Sequence, residues 1–162
     1  DDIVNAFDVN DDRFNASLDT VGQGPGNYWV KKFDSSPSTA FDGANNWIEI
    51  RYAEVLLNLA EALGESGEAW DLIDEVRVRT GLGPIDRTAV GGTFEEKLLA
   101  ERRFEFAFEN KRWADLLRFG VAKSVMAAQL GIPEADVTLL YPIPQGVIDV
   151  SPEDMDQNSE HN

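Results

Sequence analysis

From Glu101 to Arg118 the chain reads E-R-R-F-E-F-A-F-E-N-K-R-W-A-D-L-L-R, which crowds acids, bases and large aromatics into one run. At 3.6 residues per turn a helix here puts Glu101, Glu105, Phe108 and Arg112 on one face. Ala100, Phe104, Ala107 and Phe108 line the neighbouring one, so no clean solvent side remains. Some of these charges are therefore buried, and an uncompensated buried carboxylate is costly. The spacing predicts a structural ion-pair network of Glu101, Arg102, Glu105, Glu109, Arg112 and Asp115. In it Arg102 serves Glu105, Arg112 serves Glu109, and Asp115 meets Arg118, each pair three residues apart.

Around this run the chain divides into a loop-rich segment, 1–46, and a helical part, 47–162. The first is rich in Asp, Asn, Gly, Ser and Pro, with Gly22-Gln-Gly-Pro-Gly26 and Ser35-Ser-Pro-Ser38 as breakers, and it predicts loop with one short strand from Tyr28 to Phe33. Asn46 and Glu49 form a capping-box pattern before Ile48, Tyr52, Val55, Leu56, Leu59, Ala60 and Leu63, which follow helical spacing as far as Gly64. Ser66 caps a second helix with Ala69, Leu72, Ile73 and Val76 on its apolar stripe, ended by Gly81 and Pro84. Thr93 and Glu96 open a third, expected to run from Phe94 to Glu109. Asn110 is suited to a left-handed turn before Arg112 to Phe119. Gly120 separates that piece from Val121 to Leu130, and Gly131 with Pro133 ends the helical pattern. Leu139-Leu-Tyr-Pro-Ile-Pro144 is expected to be extended, since alternate prolines forbid helix. The polar last residues are expected to fray. The fold class is mainly α, an array of helical hairpins; no repeat of about 34 residues is visible.

Lys plus Arg number 14 and Asp plus Glu 30, giving a net charge of −16 and a pI near 4.2. Nucleic acid is excluded as a partner, because phosphates would be repelled and no basic stripe offsets this. The absence of cysteine rules out disulfides, thiol nucleophiles and thiolate metal sites. No stretch approaches the roughly 18 apolar residues needed to cross a bilayer, and Asp1-Asp-Ile-Val4 does not open a signal peptide.

Chemistry-bearing patterns each meet a plainer alternative. A glycoside hydrolase needs two carboxylates, one of raised pKa; Glu101, Glu105 and Glu109 beside arginines suit ion pairs instead. Asp8, Asn10 and Asp12 with Asp19 imitate a calcium loop, but Arg13 stands where the turn needs glycine, so a solvated acidic loop with a locally paired Arg13 is expected and no metal site. The glycine-rich stretch at 22–26 lacks the preceding strand and following Lys-Ser/Thr of a phosphate loop. His161, the sole histidine, lies too near the end to serve a triad. Trp70 and Trp113, among helical apolar neighbours, are expected in the core. Tyr28, Trp29 and Trp47 flank irregular Asn- and Asp-rich segments, where aromatics that stack on ligands are displayed, and are the candidate ligand-binding residues.

Several motifs in register carry a family resemblance. Ile50-Arg-Tyr-Ala-Glu54 matches an R-x-A-E helix, Arg77-Val-Arg-Thr-Gly81 an R-x-R-x-G turn, and Glu101 to Leu116 an E-R-x-x-E-x-x-x-E-x-x-R-x-x-D-L pattern. Leu140-Tyr-Pro-Ile-Pro-Gln145 and Gln157-Asn158 follow, while Asp11-Asp-Arg13 and Trp29-Val-Lys-Lys-Phe33 match D-x-R and K-[FY] elements upstream. Together they resemble the C-terminal part of the SusD/RagB family. The resemblance implies an αα-superhelical, tetratricopeptide-like layout. It also implies a non-enzymatic, cofactor-free lipoprotein on the extracellular face of the Bacteroidota outer membrane, held by an N-terminal lipid anchor outside this chain. Such a protein works with a SusC-like TonB-dependent transporter and binds oligosaccharides or, in some members, peptides, largely through loops N-terminal to this helical part. A helical protein-interaction scaffold and a glycoside hydrolase are the competing functions.

Overall fold

The computed structural model describes residues 2–20, 26–34, 45–88, 92–150 and 155–161; most of the glycine-rich stretch at 22–26 and all of Ser35 to Ser38 lie outside them. The helices are α1 (Asp2–Ala6), α2 (Asp12–Ser17), α3 (Tyr52–Leu63), α4 (Gly67–Val78), α5 (Phe94–Glu105), α6 (Arg112–Arg118), α7 (Ala122–Leu130) and α8 (Gln145–Ile148). Strands β1 (Leu18–Asp19) and β2 (Trp29–Val30) pair antiparallel, Leu18 opposite Val30 and Asp19 opposite Trp29. The chain divides into two compact units, Asp1–Arg112 and Trp113–Asn162.

In the first unit α3 and α4 form a hairpin, and α5 packs on both. Local chemistry explains the starts of α4 and α5. The Ser66 hydroxyl accepts the Ala69 amide at 3.2 Å. Thr93 and Glu96 cap one another reciprocally, the Thr93 amide donating to the Glu96 carboxylate at 2.8 Å. The core they frame contains Leu57, Ala60, Ala69, Ile73 and Leu98, all fully buried, and Trp70, 6% exposed, meets the edge of Phe94 at 5.0 Å. Burying each large aliphatic side chain stabilises by about 1.5–3 kcal/mol.

The structure departs from local expectation in four places. α3 begins at Tyr52 rather than after Asn46, and its N-cap, Arg51, is extended and has no side-chain cap. The physical reason is tertiary: Arg51 reaches across to α5, and Lys111 holds the Glu49 carbonyl, so the segment before Tyr52 is committed elsewhere. α5 stops at Glu105, four residues early, because the backbone turns left-handed at Phe108 (φ 68°) as well as at Asn110 (φ 59°). The first segment is not all loop. Asp11 caps α2 by accepting the Arg13 amide at 3.0 Å, and Phe7 packs against Phe14 and Phe104 at 5.8 and 5.0 Å, tying α1 and α2 to α5.

The fourth departure concerns the second unit, where the tail is held rather than frayed. Pro142 and Pro144 leave Leu139 to Ile143 unable to join a ladder, and side chains from the tail take its polar backbone groups instead. Glu160 accepts the Leu139 and Leu140 amides at 2.7 and 3.0 Å. Gln157 accepts from the Ile143 amide at 2.8 Å and donates to the Ile143 carbonyl at 3.0 Å, while Asn158 donates to the Tyr141 carbonyl at 2.6 Å. His161 Nε2 lies 2.6 Å from the Leu140 carbonyl, so its ring serves this clamp.

Glycine at 81 is required by space and by backbone. Its φ is +83°, and a Cβ would stand 3.2 Å from the Asn10 carbonyl and from Asp12 Oδ2, where the end of α4 meets α2. Gly81→Ala is expected to cost at least the ~1–2 kcal/mol of a left-handed L-residue, and Ile73→Ala about 2–5 kcal/mol as a core truncation. Urea unfolding of both variants checks this, and a Gly81→Ala midpoint equal to wild type would contradict the tight contact with α2.

The tail clamp has its own pH signature. Hydrogen bonds from Lys123, first, and from the Leu140 and Leu139 amides lower the Glu160 pKa to about 2. A depressed carboxyl contributes stability that is fully present above its unfolded value of 4.5 and is lost as pH falls through the folded value. Amide exchange at Leu139 and Leu140 should therefore stay slow at pH values just below 4.5 and quicken only towards 2. Protection lost already near 4.5 would contradict the clamp.

Candidate functional site

Two features of the first unit are built from residues with chemical potential: a buried charge array and an aromatic cleft. The array is centred on Glu101 and Glu105 of α5 and Glu109 just beyond it, all nearly inaccessible. Glu101 and Glu105 share one side of α5, and Glu109 comes beside Glu105 by sharing Arg51 with it, so three negative charges would repel strongly if unmatched. Five cations from distant parts of the chain surround them.

Arg13, from α2, places Nη1 2.6 Å from Glu101 Oε1 and 3.2 Å from Glu105 Oε2, and its Nη2 2.8 Å from Asp11. Arg77 reaches Glu101 at 3.1 Å and Arg79 reaches Glu105 at 2.5 Å, both from the end of α4. Arg51 pairs with Glu105, lies 3.0 Å from Glu109 through Nε, and donates to the Glu105 carbonyl at 2.6 Å. Lys32, two residues past β2, pairs with Glu109 and donates to the Glu105 and Ala107 carbonyls at 3.1 and 3.2 Å. Arg51 also lies 4.9 Å over the Phe106 ring.

Glu105 and Glu109 thus take their cations across elements and not from three residues along their own helix. Arg102 bonds Asn58 at 2.8 Å and lies over Phe106, Arg112 donates to the Leu99 carbonyl at 3.3 Å, and buried Asp115 meets Arg118 at 2.8 Å. The residues that match are those of the family motifs: Arg13 of D-x-R, Lys32 of K-[FY], Arg51 of R-x-A-E, Arg77 and Arg79 of R-x-R-x-G. Glu54, the acid of the R-x-A-E motif, pairs with Lys111 at 3.2 Å.

The electrostatics suit structure and not proton transfer. Burial works against charge on Glu109, but hydrogen bonds from Arg51 and Lys32 outweigh it and hold the carboxyl below its ordinary range. Burial likewise opposes charge on Arg13, and its bonds to Asp11 and attraction to Glu101 prevail, raising its pKa. Lys32 is lowered, chiefly by burial, with Arg51 nearby adding to the effect. A general acid needs the opposite shift on a carboxyl. In the calcium-like loop Asp8 accepts from the Asn10 amide at 2.8 Å, while Asp11 and Arg13 are buried and not solvated as expected, since Arg13 pairs with Asp11 and also reaches Glu101 and Glu105.

The cleft, of about 640 Å³, lies beside the small sheet. Leu18, Tyr28, Trp29 and Val30 form one part of its wall, Ile3 and Val4 of α1 another, and Gly26, Asn27 and Phe108 complete it. Tyr28 is 39% and Trp29 36% exposed, and Tyr28 is braced edge-on by Phe14 at 5.9 Å. Trp47 is elsewhere, 55% exposed and stacked on Phe33 at 5.7 Å. Sequence reasoning missed Phe108 because a regular helix through it would turn its ring onto the acidic face.

In the second unit Trp113 corrects its expected core placement. It is 40% exposed and lines a cleft of about 350 Å³ with Met126, Leu140, Tyr141, Pro142 and His161. α6 buries Asp115 and Leu116 instead, leaving the indole on another side.

Hairpins of helices gathered on a charge-matched acidic helix, with little sheet, define a mainly α-helical protein built from αα units. The sequence profile of the SusD family matches residues 19–138, and the chain belongs to that family. It is similar to two SusD-like proteins of Formosa agariphila: P2, 36% identical over 95 residues, and P38, 33% identical over 100 residues. These alignments cover 52% and 55% of the chain but 19% and 20% of the relatives, so the chain spans about a fifth of their length. Among solved structures it is similar to B. fragilis NanU, with TM-score 0.66 and 27% identity over 96% of this chain and 38% of that one. SusD-like proteins are generally non-catalytic, outer-membrane-associated lipoproteins that bind nutrients as companions of TonB-dependent transporters. Among the described residues no helix is long and apolar enough to cross a membrane.

Removing Arg13 strips one cation from three buried carboxylates, so Arg13→Met is expected to cost about 3–5 kcal/mol. Arg87→Met, which removes an exposed guanidinium paired with Asp71 and Asp74, should lower stability far less. Chemical denaturation of the two variants checks the contrast, and equal effects would contradict a buried array.

Proposed function

We propose that this chain is part of a non-catalytic, cell-surface binding protein that captures oligosaccharides, or in some settings peptides, for a SusC-like TonB-dependent transporter. Its place is the extracellular face of the outer membrane, through an N-terminal lipid anchor. Within it, 1–46 serves as a loop-rich margin and 47–162 as the helical domain. Tyr28 and Trp29 are the ligand contacts, and Trp47, outside the cleft, is a separate exposed platform. Glu101, Glu105, Glu109 and Asp115, with Arg102 and Arg112, are structural.

The observation that carries this reading is the cleft itself. Two partly exposed aromatic rings stand over a space whose described lining includes no charged side chain. A sugar's apolar ring face can lie on such a surface while its hydroxyls are met by Asn27, Tyr28 and backbone groups. Hydrolysis would need a carboxyl poised as an acid, and the central glutamates are instead each matched by cations.

Glycan-array binding on the full-length protein, followed by titration, tests the proposal. Trp29→Ala is expected to weaken binding by roughly three- to tenfold, the scale of one aromatic contact, with little loss of stability, while Trp70→Ala costs about 3–5 kcal/mol in folding. Oligosaccharides incubated with the protein should remain intact. Turnover abolished by a single Glu→Gln change would overturn the non-catalytic reading.

A further inference from the structure

The corner after α5 holds a bulky residue where the backbone disfavours one. Phe108 has a φ of 68°, in the left-handed region that an L side chain enters only under constraint. Such positions persist where surrounding structure over-determines them, and they cluster at ligand-holding sites. Asn110, with φ 59°, needs less explanation, because Asn tolerates this region.

The constraint on Phe108 is visible on both sides. Ala107 and Glu109 are buried, and Phe108 between them is only partly so. Lys32 Nζ donates to the Glu105 and Ala107 carbonyls and pairs with Glu109, while Arg51 grips the same carboxylate. A regular helix through this point would carry the ring onto the face of Glu101 and Glu105. The left-handed turn releases it to line the cleft that Tyr28 and Trp29 share. Lys32 follows directly on β2 and Lys31, so one side chain fastens the strand bearing Trp29 to the corner bearing Phe108.

We propose that Phe108 is a third aromatic wall of this cleft, that the cleft accepts the apolar face of an uncharged sugar ring, and that Lys32 is the residue positioning the wall. The assignment rests on the binding reading above. Uncharged ligand follows from the lining: its described residues offer the Asn27 amide and the Tyr28 hydroxyl as polar side-chain groups, with no cation to attract an acidic sugar. The chain's net charge of −16 would further repel one.

The test titrates the full-length protein with neutral hexasaccharides of glucose, mannose, galactose and xylose, and with a hexauronate as the charged comparison. Wild type is expected to bind at least one neutral hexasaccharide in preference to the hexauronate. Phe108→Ala and Phe108→Gly should weaken that binding alike, by roughly three- to tenfold. Phe108→Gly should melt above Phe108→Ala, since glycine relieves the left-handed backbone. Lys32→Met should weaken binding with the ring still present, and Lys32→Arg should restore it. If Trp29→Ala loses affinity and both Phe108 variants keep it, the third wall is refuted and the cleft stands. Phe108→Gly melting below Phe108→Ala refutes the constrained corner, and unchanged affinity in Lys32→Met refutes the positioning role. If no neutral hexasaccharide binds, or Trp29→Ala binds as wild type does, the binding reading falls and this proposal with it.

Discussion

Three neighbouring carboxylates cannot be buried together unless positive charge is brought to them, and this requirement organises the first unit. Glu101, Glu105 and Glu109 are all nearly inaccessible. Desolvating one such group costs several kcal/mol, so the fold is viable only when α2, the start of α3, the end of α4 and Lys32 beyond β2 each deliver a cation. The array is therefore a device for assembly: segments far apart in sequence must arrive together or the glutamates stay unmatched. Specificity of arrangement, more than raw stability, is the natural gain from such a cluster, since an apolar replacement of equal volume is often as stable.

The same rule, that polar groups leaving water must find partners, explains the second unit's tail. Pro142 and Pro144 prevent the preceding segment from joining helix or sheet, and the carbonyls and amides of Leu139 to Ile143 then need side-chain partners. Glu160, Gln157, Asn158 and His161 supply them. A polar tail that composition alone would leave loose becomes part of the structure because the proline segment cannot satisfy itself.

The aromatic cleft adjoins elements held by the charge array, while its described lining includes no charged side chain. Lys32 and Arg51 hold Glu109, Lys32 also holds two carbonyls of the corner, and Lys32 lies two residues past the end of β2. Ion pairs at Glu109 thus connect the segment bearing Trp29 with the corner bearing Phe108. Rigid support beneath partly exposed rings lowers the ordering cost of binding, which is the usual advantage of a preorganised site.

Local signals were enough for the mainly helical class, the Ser66 cap, the Thr93 and Glu96 capping box, the left-handed Asn110 and the extended segment before Pro144, because each arises from contacts within a few residues. The buried charge of Glu101 to Arg118 was equally legible, since no helical register leaves that run a clean solvent face. Its partners were not. Spacing along a helix can propose only neighbours three or four residues away, whereas Arg13 and Glu101 are 88 positions apart and Arg51 and Glu109 58. The same non-locality delays α3 to Tyr52, ends α5 at Glu105, exposes Trp113 and turns Phe108 towards Tyr28 and Trp29. Sequence by itself determined that charges of the Glu101 to Arg118 run had to be buried; only the tertiary structure decided which charges met, because burial cost is local to a residue while its compensation is not.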